Sequence, residues 1–457
     1  MKKITKKIIL FTCIFMGTLY TNAQINSPYS RFGLGDVLNT KNIINNSLGG
    51  SAVAYPSFIS NNIGQILNFS NPATYGFLKV TSVDLGVSLE SFNINSINPT
   101  NTFNSAYFVP RYFAMGMPIN KQKEIGLAFG FKQISRVNYN INTSSYLTND
   151  TINNNFEGSG GLYQFFIGIG KNYKNLSVGL NTGVNFGNKR ISTNKTLYGT
   201  SPSYQNSTTA DNQNFSGIFF NPGLQYNILL NSKVDKIRSQ TEKLHLLLGL
   251  SYEFQQNLST TQNIKASTIT QNSLGDINDL DTVIQKINLG TITLPSTLHI
   301  GFSLNKGLFH PSGYFKLWSL GIEYTSTEWS KYKDLDNNVS PLLNSNQLSV
   351  GLEFSPNPIS DLNRSRLITY RTGFYVGNDF IQDNNTDKKG LSKFGVSIGI
   401  GVPIKKYRNY DNQYSMLNYN FIYGQRGTVN NTITEDFVQF SVGITLNDIW
   451  FIKRRYD

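Results

Sequence analysis

The stretch VDLGVSLE at residues 83–90 alternates apolar and polar side chains without interruption. The same alternation returns in IGLAFGFK at 125–132, in VGLNTGVN at 178–185 and in VQFSVGITL at 438–446. A period of two is typical of a β-strand with one apolar and one polar face. The polar positions are often Gly, Ser or Asn, and some carry charges in mid-strand: Asp84, Lys132, Glu253, Glu323, Glu353 and Arg371. Such charges are expected in the water-filled interior of a barrel, so the pattern favours a membrane barrel over a soluble β-sandwich.

The composition of the 457-residue chain also argues against a long soluble α/β enzyme. Only 15% of the residues are charged, whereas 13% are aromatic. Few segments carry the Ala, Glu, Lys and Leu bias of a helix. The formal net charge is +13. A basic balance is typical of proteins that bind nucleic acid, and equally of proteins that contact anionic lipid headgroups. Because the chain is predicted to be exported, as described next, lipid headgroups are the favoured partner, and we expect no nucleic-acid partner.

Export is predicted from the first 23 residues, which have the pattern of a secretory signal peptide. Four lysines precede an apolar run at 8–20, and Thr21-Asn22-Ala23 offers a small-residue cleavage site. The run is too short to span a bilayer comfortably, although an N-terminal anchor is the alternative. Its Cys13 is the single cysteine, so the mature chain has no disulfide, thiolate metal site or thiol nucleophile. No later run reaches 18 apolar residues, so a membrane-embedded mature chain must be a closed barrel.

The alternation predicts an all-β fold, a 14-stranded antiparallel transmembrane β-barrel within 77–448. An even number of strands returns the chain to the periplasmic side. The connections differ in length, as in outer-membrane barrels. We predict long extracellular loops near 95–104, 140–158, 190–213, 258–287, 328–344, 379–390 and 425–435. Short turns join the strands at the other end. Residues 449–457 form a predicted C-terminal periplasmic tail.

Residues 24–76 lack clean alternation but are too apolar for a disordered tail. We therefore predict an N-terminal hatch, or plug, in the lumen. Its LGGSAVA at 48–54 and its Asn71-Pro72-Ala73 before the first strand resemble the FadL-type outer-membrane transporters of long-chain fatty acids and other hydrophobic compounds. The stretch SPYSRFGLGD at 27–36 and the chain end at 447–457 resemble a divergent branch of that family. The specific resemblance covers roughly 27–90 and 435–457.

The resemblance implies passive transport, in which a hydrophobic molecule is captured outside and a moving hatch releases it through a gap in the barrel wall. It implies hatch or gating roles for Gly49, Gly50, Asn71, Pro72 and Ala73. The alternative interpretation of Asn71-Pro72-Ala73 is an ordinary turn before a strand, since Asn favours turns and Pro fixes φ. The family's ligand contacts cannot be matched residue by residue, so the ligand-binding residues stay unknown. Wall breaks are expected at Pro110, at Pro118 or in the glycines of 158–161.

Other signals do not point to catalysis or to a cofactor. Gly395, Gly399 and Gly401 lie within an alternating strand, so they do not form a nucleotide loop. Clustered aspartates at 276–281, 334–336 and 383–387 lack the EF-hand spacing for calcium. His245, His299 and His310 are not part of a local nucleophile motif. We therefore predict no enzyme activity, no catalytic residue, no metal site and no cofactor.

The leading hypothesis is an outer-membrane barrel of a Gram-negative bacterium for passive uptake of fatty-acid-like hydrophobic molecules. Its partners are a hydrophobic small molecule or lipid and the surrounding outer-membrane lipids. The alternative is a non-transporting structural subunit with protein partners in an outer-membrane secretion or assembly complex. A polar porin is disfavoured by the predicted plug. An apolar lumen below the hatch favours transport, whereas a polar, blocked lumen favours the structural role.

Overall fold

The computed structural model describes residues 27–57, 65–97, 100–147, 150–199, 205–235, 240–271, 277–310, 313–335, 342–356, 368–382, 390–405 and 414–448. The predicted signal peptide at 1–23 and the predicted tail at 449–457, with Trp450, lie outside these residues. No helix among the described residues is long and apolar enough to cross a membrane.

The described residues form one antiparallel sheet that closes on itself. Its 17 strands are β1 Asp36–Val37, β2 Thr81–Ile97, β3 Thr100–Asn120, β4 Ile125–Leu147, β5 Asp150–Tyr173, β6 Leu176–Gly199, β7 Asn206–Asp235, β8 Gln240–Glu253, β9 Gln256–Gln271, β10 Ile277–Leu294, β11 Thr297–His310, β12 Gly313–Thr327, β13 Ser345–Phe354, β14 Thr369–Gln382, β15 Gly390–Lys405, β16 Tyr414–Arg426 and β17 Ile433–Asp448. Helical segments are short: α1 Ile43–Asn46 and the 3₁₀ turns Pro28–Arg31, Pro72–Phe77 and Trp329–Lys331.

The sheet gives a barrel of fourteen wall positions, as the alternation predicts. β8 and β9 are two halves of one position, interrupted at 254–255, because β7 pairs with β8 below and with β9 above. β10 and β11 are likewise one position, interrupted at 295–296 directly opposite. β17 pairs with β2 from Asp448↔Thr81 upward, which closes the barrel. We call the end with Thr81 and Asp448 the lower end, and the opposite end the upper end.

Four of the predicted loops, near 95–104, 140–158, 190–213 and 258–287, are wrong, because the strands continue through them. β4 reaches Leu147 and β5 starts at Asp150, while β6–β7 and β9–β10 extend in the same way. The sequence loses its apolar alternation here, since no lipid requires it. Each strand nevertheless keeps a hydrogen-bonded neighbour, and the Thr and Ile of these segments suit a strand. We call this six-stranded extension, β4-β5-β6-β7-β9-β10, the raised sheet.

The two faces of the wall differ as expected for a barrel in a bilayer. The outward face carries exposed apolar side chains in every part of the wall, for example Ile167, Leu250, Phe374 and Ile444. The inward face is polar. The mid-strand charges predicted for the lumen point inward, and Asp84, Glu323, Glu353 and Arg371 are each at most 3% exposed.

Residues 27–57 and 65–80, here called the N-terminal segment, lie inside the barrel. β1 pairs with β4, α1 packs on β15, β16 and β17, and the 3₁₀ turn Pro72–Phe77 packs on β3 to β7. Contacts to strands around the whole circumference place the segment in the lumen. Most of its side chains are buried.

Candidate functional site

Gly49 and Gly50 form the turn that ends α1. Both have positive φ, 64° and 89°, which glycine adopts without strain. The Gly50 N–H donates to the Asn45 carbonyl at 2.9 Å, a typical helix C-terminal closure. The Gly49 N–H donates to Ser397 Oγ at 3.0 Å, and that hydroxyl donates to the Ser47 carbonyl at 3.0 Å. The turn is therefore attached directly to the wall strand β15.

Asn71-Pro72-Ala73 starts the 3₁₀ turn Pro72–Phe77 and reaches three other parts of the molecule. The Asn71 side chain, fully buried, accepts from the Ala73 N–H at 3.1 Å. Its Nδ2 donates to the Val53 carbonyl at 2.8 Å and to the wall carbonyl of Leu224 at 3.1 Å. The turn chemistry expected of Asn-Pro is present. The same side chain also joins the two halves of the N-terminal segment to the wall.

Inward-facing glycines of the wall make room for both motifs. A Cβ on Gly179 or Gly223 would collide with Asn71-Pro72, and a Cβ on Gly351 or Gly373 would collide with Leu48-Gly49. These glycines lie opposite one another across neighbouring strands, in the ladders Gly126-Gly170-Gly179-Gly223, Gly249-Gly301 and Gly321-Gly351-Gly373. The backbone of the N-terminal segment thus packs on the backbone of the wall. Glycine is needed because no side chain fits between the two.

Glu323 of β12 is the main charged anchor of the segment. Its carboxylate accepts from the Ala52 and Val53 N–H groups at 2.6 and 2.8 Å. It forms an ion pair with Lys41 at 2.6 Å and contacts His299 Nδ1 at 3.1 Å. The carboxylate is 1% exposed, so one buried charge holds two parts of the segment.

Two further charge clusters connect the segment to other wall strands. Glu353 accepts from Tyr55 Oη at 3.0 Å and pairs with Lys316 at 2.8 Å and Arg371 at 3.2 Å. In the second cluster, Asp36 of β1 pairs with Arg426 of β16 at 2.8 Å. Arg426 also pairs with Asp379 and Glu435, and Ser27 Oγ donates to Glu435 at 2.6 Å.

The upper lumen is filled by an apolar cluster. Trp329 stacks on Phe380 with ring centroids 4.4 Å apart, and Tyr332 is 1% exposed. Tyr29 and Leu34 of the N-terminal segment belong to the same cluster. The connection after β12 therefore folds inward over the segment. A position beside a strand end is typical of an interfacial aromatic girdle, but the 3₁₀ turn Trp329–Lys331 points the Trp329 ring inward.

The wall has a split between β3 and β4. Their pairing runs from Asn120↔Ile125 to Tyr112↔Lys132 and goes no further in the described residues. Pro110, an expected ladder break, lies just above the last pair, beside a register shift at 86–87. β1 of the N-terminal segment takes the vacated place and pairs with Ser135 and Arg136 of β4. Pro118 lies at a smaller irregularity, whereas 158–161 stay paired on both sides.

The structure brings all five predicted gating residues into the lumen, as two contact points about one third of the wall apart along the strand order. Sequence reasoning missed Asp36, Lys41 and Tyr55, which carry the charged and hydroxyl contacts. Single charges in an otherwise apolar segment are the signal that points to them, since the predicted lumen offers opposite charges. Among the described residues, no group of three His, Cys, Asp or Glu side chains is placed to hold a metal ion. Asp276, Asp336, Asp383 and Asp387 lie outside the described residues.

Comparison with protein families gives a match over residues 1–457 to the family model described as BamG. The chain belongs to the BamG family. No curated protein matches the chain. The family model matches the N-terminal segment and the barrel together.

Solved structures with a similar fold are FadL-family channels. The CymD monoaromatic hydrocarbon channel is 13% identical at a TM-score of 0.51, and the match covers 92% of this chain and 99% of that chain. A FadL homologue of Pseudomonas aeruginosa is 14% identical at a TM-score of 0.50, covering 90% and 99%. The toluene transporter TodX of P. putida is 12% identical at 0.51, covering 90% and 99%. The BamG-family chain therefore has a FadL-like outer-membrane barrel fold, and the predicted divergent resemblance is confirmed.

Proposed function

We propose that this chain is an accessory, non-transporting barrel subunit of an outer-membrane protein secretion or assembly complex. One observation carries the proposal: the N-terminal segment is attached to the wall around the lumen by buried charges and by backbone contacts on glycine. Membership of the BamG family favours the same role.

The energetics of these contacts support a segment that stays in place. Breaking a buried ion pair by removing one partner costs about 3–5 kcal/mol, because an uncompensated charge remains. A hatch that moves has to separate Lys41 from Glu323, Asp36 from Arg426 and Tyr55 from Glu353. The lining at these points is polar, which is the lumen expected for a structural subunit rather than for a hydrophobic channel.

Passive uptake of hydrophobic molecules is the second candidate. It is favoured by the fold shared with hydrocarbon channels and by the split between β3 and β4, which β1 fills. In this candidate Gly49, Gly50 and Asn71-Pro72-Ala73 act as the moving hatch. The apolar cluster around Trp329 and Phe380 is then the place where a hydrophobic ligand displaces side chains.

A disulfide lock separates the two candidates. A Cβ on Gly321 would lie 3.6 Å from Cβ of Ser51, within the range of a disulfide. The double variant S51C/G321C therefore links the segment to β12, with no other cysteine after residue 13. The single variants are the controls. Each form replaces the native gene, and the amounts of other outer-membrane barrels and the uptake of labelled fatty acid are measured.

An accessory subunit keeps its full activity when the lock is oxidised, and deletion of the gene lowers the amounts of other barrels. A transporter loses fatty-acid uptake on oxidation and regains it on reduction. Loss of uptake in the oxidised double variant alone, with unchanged amounts of other barrels on deletion, would overturn the accessory role.

A further inference from the structure

The raised sheet ends in two edges, and on one of them, β10, the described residues show no paired strand along most of its length. β10 pairs with β9 along its whole length, and its other side has a single bridge, Thr293↔Lys333, near its lower end. From residue 278 to residue 289, no described residue pairs with that side. A free edge exposes a row of backbone N–H and C=O groups that can pair with an added strand.

This edge exposes several large apolar side chains. Ile284 is 51% exposed, Ile287 64% and Leu289 79%, and Leu280 and Val283 are also exposed. β-bulges lie at 279–281 and 282–284, but pairing with β9 is regular from Ile284 downward. The regular part, residues 284–289, is here called the β10 edge.

The opposite edge of the raised sheet shows what a protected edge looks like. Above its contacts with the N-terminal segment, β4 reads NINTSSY at 140–146. Its exposed positions are mainly Asn, Thr and Ser. Native edges are usually protected by polar or charged residues, and the β10 edge has one charge, Lys286. The two edges of the same sheet therefore differ in the residues that they expose.

The outer face beside the β10 edge is concave. Leu289 lines a cleft of about 670 Å³ together with Tyr163, Phe186, Asn188, Ser216 and Thr261. Ile287 and Leu289 are two positions apart in the strand, so both side chains lie on this face. An added strand would extend the apolar surface that they form beside the cleft. The cleft gives one side chain of such a strand an anchoring pocket.

A second copy of the chain does not fit this edge. Two copies inserted in one membrane in the same direction are related by a two-fold axis along the membrane normal, so β10 would meet its counterpart in parallel and in register. Lys286 would then face Lys286, and Asp281 would face Asp281. Like charges directly opposite each other destabilise strand pairing. The partner is therefore a different polypeptide.

We propose that the β10 edge binds an extended segment of another protein as an added β-strand, with apolar side chains beside Ile287 and Leu289 and an acidic residue near Lys286. This rests on the proposed function as a subunit of a complex, and it names how the partner is held. Backbone hydrogen bonds supply the pairing, and the alternating side chains supply the specificity.

The test uses the full chain in its native membrane, with the photo-crosslinking residue benzoylphenylalanine placed at Ile287. Matched controls carry it at Tyr146 on the opposite edge, 83% exposed, and at Phe374 on the outer wall, 44% exposed. We expect Ile287 alone to crosslink to one protein, at one contiguous peptide. Hydrogen exchange of residues 284–289 should be about tenfold slower in the purified complex than in the separated chain, because edge amides become hydrogen-bonded. The variant I287K/L289K, with the photo-crosslinker moved to Ile284, should lose the crosslink.

Crosslinks to lipid alone, equal crosslinking at Tyr146, or unchanged exchange at 284–289 would each overturn the proposal. The result is independent of the disulfide lock. If the locked chain loses uptake while Ile287 still crosslinks to one peptide, the accessory role fails and the β10 edge stands.

Discussion

The lower barrel and the raised sheet share strands β4 to β7 but differ in how their strands are paired at the edges. In the lower barrel almost every strand has two neighbours, and the lumen is occupied by the N-terminal segment on ladders of glycine. In the raised sheet the strands extend beyond the closed barrel, and in the part of the chain that the structure describes, the upper parts of the β4 and β10 edges have no paired strand. The comparison teaches that the closed part stabilises the segment within it, whereas the open part is suited to contacts with other molecules.

The largest effect is expected from filling the gap between segment and wall. G373V places a branched side chain against the backbone of Leu48-Gly49. Overpacking costs about 3 kcal/mol or more where backbone has to move, so residues around Gly49 should leave the wall. Limited proteolysis of the N-terminal segment measures this. V376L on the same strand, which points outward, is the control, and equal protease resistance of G373V and the native chain would show that the close packing is unimportant.

The next effect concerns the buried charge that holds two parts of the segment. E323Q leaves Lys41 without its partner and weakens the bonds from Ala52 and Val53. We expect a loss of about 3–5 kcal/mol in local stability, read as faster hydrogen exchange at 41–53. E242Q removes an exposed ion pair with Lys306 and should change nothing measurable. Slow exchange at 41–53 in E323Q would mean that glycine packing alone holds the segment.

A smaller effect is expected at the Asn-Pro-Ala motif. N71A removes the bonds to Val53 and Leu224 and leaves the buried Ala73 N–H without its acceptor, at about 1–3 kcal/mol. The temperature at which the barrel unfolds on a heat-modifiability gel should fall. N142A, at an exposed position of the raised sheet, is the control. If both variants unfold at the native temperature, Asn71 has only a turn role.

The smallest effect is expected in the raised sheet itself. The hydrogen bond from Lys265 lowers the pKa of the Asp279 carboxyl, which also accepts from Ser267. A lowered folded pKa contributes stability above the unfolded pKa, and the contribution is lost as pH falls through the folded value. Because the pair is exposed, K265A should raise the pKa of Asp279 in an NMR titration without a measurable change in unfolding temperature. A clear destabilisation at neutral pH would show that this pair is structurally important.

Much of the wall could be predicted from the residues. The alternation in 83–90 and 438–446 gives strands that pair with each other and close the barrel. The raised sheet could not be predicted, because Asn-rich segments such as 140–146 have the composition of a loop and become strand only through their neighbours. The position of Trp329 was also out of reach, since an aromatic residue beside a strand end has the same local sequence in a girdle and in a cluster.

The sequence by itself determined the strand count, the polar lumen, the presence of an apolar N-terminal segment and the glycines that its close packing needs, because periodicity and residue size are local properties. Only the tertiary structure decided which charges meet, that β1 fills the split beside β4, and that β10 has a free apolar edge. Those contacts join residues up to several hundred positions apart, as with Ser27 and Glu435. They depend on strand register and barrel closure, which no single segment specifies.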